Sequence, residues 1–95
     1  MKITVESLGL PALADVIGRK AEIQLEGGTL ADLVAHLAGR FGARARRLLL
    51  DDEGHLDRTI QVLLNDREFV GREELADRKL SEGDGVKFML LVCGG

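Results

Sequence analysis

Lys20-Ala21-Glu22-Ile23-Gln24-Leu25-Glu26-Gly27-Gly28-Thr29-Leu30-Ala31-Asp32-Leu33-Val34-Ala35-His36-Leu37 changes its period in the middle. Up to Glu26 every second residue is apolar: Ala21, Ile23 and Leu25 stand against Glu22, Gln24 and Glu26. Side chains of a strand alternate between two faces, so this half is a strand with one buried face. Gly27-Gly28 interrupts it. Leu30, Leu33, Val34, Leu37 and Phe41 then fall on one stripe of a helix. Thr29 suits the N-cap, and Asp32 puts a carboxylate near the positive end of the helix dipole. A half-buried strand feeding an amphipathic helix calls for a sheet with a helix on one face.

Residues 2–8 alternate too, with Ile3 and Val5 apolar and Lys2, Thr4 and Glu6 polar. Gly9, Pro11 and Gly18 mark 9–18 as a loop or short turn of helix, so the first two strands form a hairpin with a long connection. Gly42 ends or bends the helix, and Ala43 to Leu50 reads as a second short helical piece with Arg44, Arg46 and Arg47 on its polar side. Asp51-Asp52-Glu53-Gly54 is a turn. Ile60 to Leu64 is a third strand, Asn65-Asp66-Arg67 a tight turn, and Phe69-Val70 a short fourth strand. Residues 71–85 are a polar connection anchored by Leu80 and closed by Gly83-Asp84-Gly85. Val86 to Val92 is the last strand, apolar enough to be central and parallel to the first. The expected fold is an α+β roll: a mixed sheet of four to five strands with one main helix on one face. Residues 1–95 form one domain, with 92–95 a flexible C-terminal tail.

Alternation assigns Ile3, Val5, Ile23, Leu25, Val62, Leu64, Val86, Phe88 and Leu90 to the face under the helix. Thr4, Leu63, Met89 and Leu91 take the opposite face. Large apolar residues on a solvent-facing sheet make a partner patch, unless residues 9–17 fold across it.

The net charge of −3 argues against nucleic acid as the main partner. No apolar run suits a membrane, and the N-terminus does not read as a secretory signal, so the expected location is the cytoplasm. One cysteine, Cys93, excludes an internal disulfide framework. His36, expected to face solvent near Asp32, and His55, in an acidic turn, lack partners at metal-ligand spacing. Asp51, Asp52 and Glu53 do not match a calcium loop. No phosphate-cradling glycine loop precedes a helix, so the chain is not expected to bind ATP or another cofactor itself. Arg40, Arg44, Arg46 and Arg47 read as a basic cluster that binds phosphate or an acidic partner, or compensates a helix C-terminus.

Three stretches carry a wider resemblance. Ile23-Gln24-Leu25 leads into Gly28-Thr29-Leu30-Ala31-Asp32-Leu33. Leu63-Leu64-Asn65-Asp66-Arg67 follows, and then Leu80-Ser81-Glu82-Gly83-Asp84-Gly85-Val86 approaches the last strand. In this order, ending in Gly94-Gly95, the chain resembles the MoaD/ThiS sulfur carriers of ubiquitin-like β-grasp fold. Its length and the 40–59 segment resemble the molybdopterin synthase small subunit most.

The resemblance implies a reaction at the tail. A ubiquitin-activating-type adenylating enzyme uses ATP to activate the Gly95 carboxylate. A sulfur donor then attacks the acyl carbon, and the resulting thiocarboxylate delivers sulfur within a larger molybdopterin synthase subunit. Gly95 is the reactive residue, and Gly94 keeps the arm slim enough for a narrow channel. Leu63, Met89, Leu91, Val92 and Cys93 are the expected partner-binding residues. Cys93 either contacts the partner groove as a small apolar residue or takes part in sulfur transfer. Other readings are a carrier for thiamine or another sulfur pathway, a ubiquitin-like protein modifier, and a β-grasp interaction module without tail chemistry.

Overall fold

The computed structural model describes residues 1–90. Along the chain run β1 (Lys2–Leu8), α1 (Pro11–Ile17), β2 (Lys20–Gln24), α2 (Leu30–Arg40), α3 (Gly42–Leu49), β3 (Ile60–Leu64), β4 (Glu68–Val70) and β5 (Gly85–Leu90). A turn of 3-10 helix covers Arg72–Glu74. The strands lie in the order β2-β1-β5-β3-β4. β1 and β5 pair in parallel, and every other neighbouring pair is antiparallel. The first and last strands therefore meet at the centre, as the apolar character of 86–90 predicts.

The switch from strand to helix at residues 25–30 has a local cause. The Thr29 hydroxyl accepts from the Asp32 amide at 3.3 Å, and the Thr29 amide donates to Asp32 Oδ2 at 2.9 Å. This reciprocal box satisfies two amide groups that a helix start leaves unpaired. Gly28, at φ +121, fits beneath it because a Cβ there would lie 2.4 Å from Asp32 Oδ2.

The core follows the two periods. Ile3, Val5, Ile23, Leu25, Val62, Leu64, Val86 and Phe88 of the sheet side are buried. They meet Leu30, Leu33, Val34 and Leu37 of α2 in one cluster. Phe88, fully buried on the central strand, is the largest side chain in that contact. Leu75, in the connection read as polar, is buried along with the expected anchor Leu80.

Residues 9–18 take the helical form of the two expected, as a seven-residue helix. Pro11 occupies the first turn of α1, where its missing N–H costs nothing. The Gly18 amide closes the helix on the Ala14 carbonyl at 2.8 Å. Leu13 and Ile17 enter the same buried cluster as α2, and α1 packs against α3. Residues 9–17 thus complete the core on the helical side and do not cover the outer sheet face.

Candidate functional site

β5 is the middle strand of five, and Leu90 is its last residue. Leu91, Val92, Cys93, Gly94 and Gly95, all expected site residues, lie outside the described residues, as does the expected flexible tail. What the structure places is the root of that tail and the sheet face beside it.

The register builds the outer face row by row. Met89 stands between Leu8 of β1 and Gln61 of β3. One row inward, Lys87 stands between Glu6 and Leu63, and Leu63 faces Phe69 of β4. The expected patch residues Leu63 and Met89 are half-buried on this face. The exposed apolar area comes mainly from two residues outside the expected patch, Leu8 at 41% and Phe69 at 56% exposure. Leu8 keeps the parity of Lys2, Thr4 and Glu6, so its orientation was readable from β1. Phe69 joins Leu63 only through the hairpin register, which the spacing of the turn alone does not reveal.

Leu90 departs from its expected place under the helix: it is 46% exposed. The parallel pairing with β1 ends at Leu8 and Met89, so Leu90 projects past it with Ile60 alone as its strand partner. Its neighbour on the β1 side is Gly9, whose φ of +68 favours glycine. A Cβ on Gly9 would lie 3.6 Å from that of Leu90, so the contact stops at backbone height and leaves the leucine uncovered. Leu8, Met89 and Leu90 thus form an apolar collar at the point where the tail begins.

Lys87 shares the row of the Leu63–Phe69 pair, next to the row of Leu8 and Met89. Its ammonium is ion-paired with Asp66. The Asp66 hydrogen bond, then the negative charges of Asp66 and Glu6, hold its pKa above the ordinary lysine value. Asp66 is presented by the tight turn, where Asn65 and Asp66 adopt φ of +53 and +56. That turn is tied to the start of β5. The Asn65 side chain donates to Asp84 at 3.0 Å and accepts from the Gly85 amide at 2.7 Å. Asp84 also accepts from the Ser81 amide at 2.8 Å. The Asn-Asp turn and the Gly-Asp-Gly turn, read separately in the sequence, are one hydrogen-bonded unit that sets the position of β5.

On the helical side, Arg72 clamps the 51–56 turn. It contacts Asp51 at 2.8 Å and donates to the Leu56 carbonyl at 2.8 Å. Asp51 also accepts from the Glu53 and His55 amides, and its carboxyl is held below the ordinary range, first by the His55 amide. His36, expected to face solvent, is half-buried: its Nε2 is shielded from solvent and has no hydrogen-bond partner among the described residues. Among those residues no cluster of His, Cys, Asp and Glu is arranged to hold a metal ion, and no helix is long and apolar enough to cross a membrane.

The model of the ThiS family matches residues 12–95 of the chain. No curated protein sequence gives a significant match. Solved structures share the fold over nearly the full length of both chains. SAMP1 from Haloferax volcanii is 24% identical, with 100% of each chain covered and a TM-score of 0.77. The complex of subunits 1 and 2 of molybdopterin-converting factor from Helicobacter pylori gives 20% identity, 100% of each chain and a TM-score of 0.63. The BexX/CysO complex of Amycolatopsis orientalis gives 26% identity, 98% of this chain and 99% of the other, and a TM-score of 0.67. Two of these three structures are complexes between different proteins.

Proposed function

The chain belongs to the ThiS family, and on that premise we propose that it is a sulfur carrier whose reactive group is the carboxylate of Gly95. The observation that supports this reading best is the placement of β5. The strand that leads to Gly94-Gly95 is held on both sides in the middle of the sheet, with the collar of Leu8, Met89 and Leu90 at its end. A rigid root and an apolar collar suit a protein that hands its terminus to a partner.

A carboxylate is a poor electrophile. Reaction with ATP on the adenylating partner gives an acyl-adenylate at Gly95 and releases pyrophosphate. Attack by a donor's sulfur at the acyl carbon expels AMP. With a persulfide as donor the product is an acyl disulfide; a second thiol then attacks the donor's inner sulfur, forms a disulfide with it, and leaves on Gly95 a thiocarboxylate, which is a strong nucleophile. In this proposal the carrier supplies the terminus and the docking face. The nucleotide site, the base and any metal belong to its partners. The acceptor we propose is the larger subunit of a molybdopterin synthase, working in the cytoplasm. Likeness over 97% of this chain to a structure described as a putative molybdopterin converting factor, subunit 1, supports that choice.

The test is intact mass spectrometry after incubation with ATP, a sulfur donor and the cognate adenylating enzyme. Replacement of one oxygen by sulfur adds about 16 Da. An unchanged mass, with an enzyme shown to form the Gly95 adenylate, would refute the thiocarboxylate. Rescue of a molybdopterin-deficient strain tests the acceptor. The likeness to SAMP1, whose structure is also described as that of a small archaeal modifier protein, favours one second reading, a protein modifier. That reading is tested in the same reactions by a ladder of isopeptide-linked products.

A further inference from the structure

Five residues follow the end of β5. They carry Gly95 at most roughly 18 Å from Leu90. Any protein that engages the Gly95 carboxylate must therefore come within that distance of the rim around Leu90. Gly9 and Ile60 flank Leu90 on that rim. Next to them a groove is lined by Gly9, Leu10 and Ile60 together with Asp57 and with Arg47 and Leu48 of α3. The rim thus runs directly into α3.

α3 is sharply divided. Ala45 and Leu49 are buried, whereas Arg44, Arg46 and Arg47 are exposed, with exposed Arg40 just before them at the end of α2. Four arginines in eight residues stand out in a chain of net charge −3. Arg46 and Arg47 lie in the last turn, where the helix dipole favours them. Arg44 lies in the first turn, where the dipole opposes a cation, so helix stability does not explain it. Among the described residues, none of the four is within ion-pair distance of a carboxylate, whereas Lys2, Arg72, Arg78 and Lys87 all are. The nearest acids are mostly committed elsewhere. Asp51 binds Arg72, and Asp57 binds the Thr59 hydroxyl and amide. Asp52 beside Arg46 and Arg47, and Asp57 beside Arg47, border the ridge outside any ion pair among the described residues.

We propose that this arginine ridge docks on an acidic surface of the enzyme that adenylates Gly95. The inference rests on the sulfur-carrier reading and adds to it the chemistry of the partner's surface. Adenylation brings an anionic terminus on an anionic protein towards ATP, so the approach is opposed by like charge. A cationic edge beside the tail root, matched by acidic residues outside the partner's channel, offsets that repulsion and orients the encounter. Charges at the rim of an interface act mainly on association rate and on its salt dependence.

The double variant Arg44→Glu/Arg47→Glu tests this, using full-length carrier and ATP–pyrophosphate exchange catalysed by the cognate enzyme. Both positions are exposed, so circular dichroism and melting temperature should match the wild type. At low salt the KM for carrier should rise by about tenfold or more with kcat unchanged. The fall of kcat/KM with added salt, expected for the wild type, should flatten or reverse. A variant with wild-type KM and wild-type salt dependence overturns the ridge proposal. So does a variant that keeps wild-type adenylation while losing affinity for a single-stranded oligonucleotide that the wild type binds, which would assign the ridge to nucleic acid. Failure of the wild type itself to support exchange, with an enzyme active on another carrier, counts against the sulfur-carrier reading instead.

Discussion

Asp51 shows how a single carboxylate can hold a loop. It binds two backbone amides and Arg72, and its pKa lies below that of a free carboxyl. A group whose pKa is lowered by folding stabilises the native state above its unfolded pKa, and that contribution is lost as pH falls through the folded value. The unfolded value is about 3.9. Asp51→Asn should therefore lower the melting temperature at neutral pH, and the gap from the wild type should close below about pH 4. An equal gap at pH 7 and pH 3 would show that the carboxylate charge is not what matters. This clamp was not legible beforehand. Asp51 and Arg72 are 21 residues apart, and nothing local in either stretch announces the other. The half-burial of His36 escapes a local reading for a related reason. Its spacing from Asp32 described one side of α2, but the burial of Nε2 depends on how the helices pack.

At the scale of elements, what repeats was legible and what depends on register was not. α2 begins at Leu30 and β3 spans Ile60–Leu64, as their periods and caps predict. α1 was obscured because Pro11 and Gly18, read as breakers, are its start and stop signals. Leu90 has the parity of Phe88 yet is exposed, because parity says nothing about where the neighbouring strand ends. The two faces of β5 and its neighbours should separate cleanly in experiment. Phe88→Ala, at the buried centre, should cost about 3–5 kcal/mol, a large part of a small domain's stability. Leu8→Asp, on the outer face beside Met89, should leave the circular dichroism spectrum unchanged and weaken binding to the tail-receiving partner. If Leu8→Asp unfolds the protein, or binds as tightly as the wild type, the outer face is not the docking surface.

At the scale of the molecule, the described body is closed by residue 90, with all five strands paired and one continuous core. Gly94→Ala should accordingly leave the melting temperature unchanged while sharply reducing the gain in mass at Gly95, since a side chain so near the reacting carbon narrows its fit in the channel. Retention of full transfer would mean that the arm is not tightly enclosed. The parallel pairing of β1 with β5 has a consequence for biosynthesis. β1 finds β2 close by in sequence, but its other neighbour, the central β5, is the last of the described strands. Pairings so distant in sequence are slow to form, because the loop entropy is lost before the contacts compensate for it. A chain that has not yet folded, or has lost its fold, can thus carry the diglycine without the body that presents it. An enzyme that reads the body before admitting the tail would charge only folded molecules, so the topology itself can serve as a check on folding.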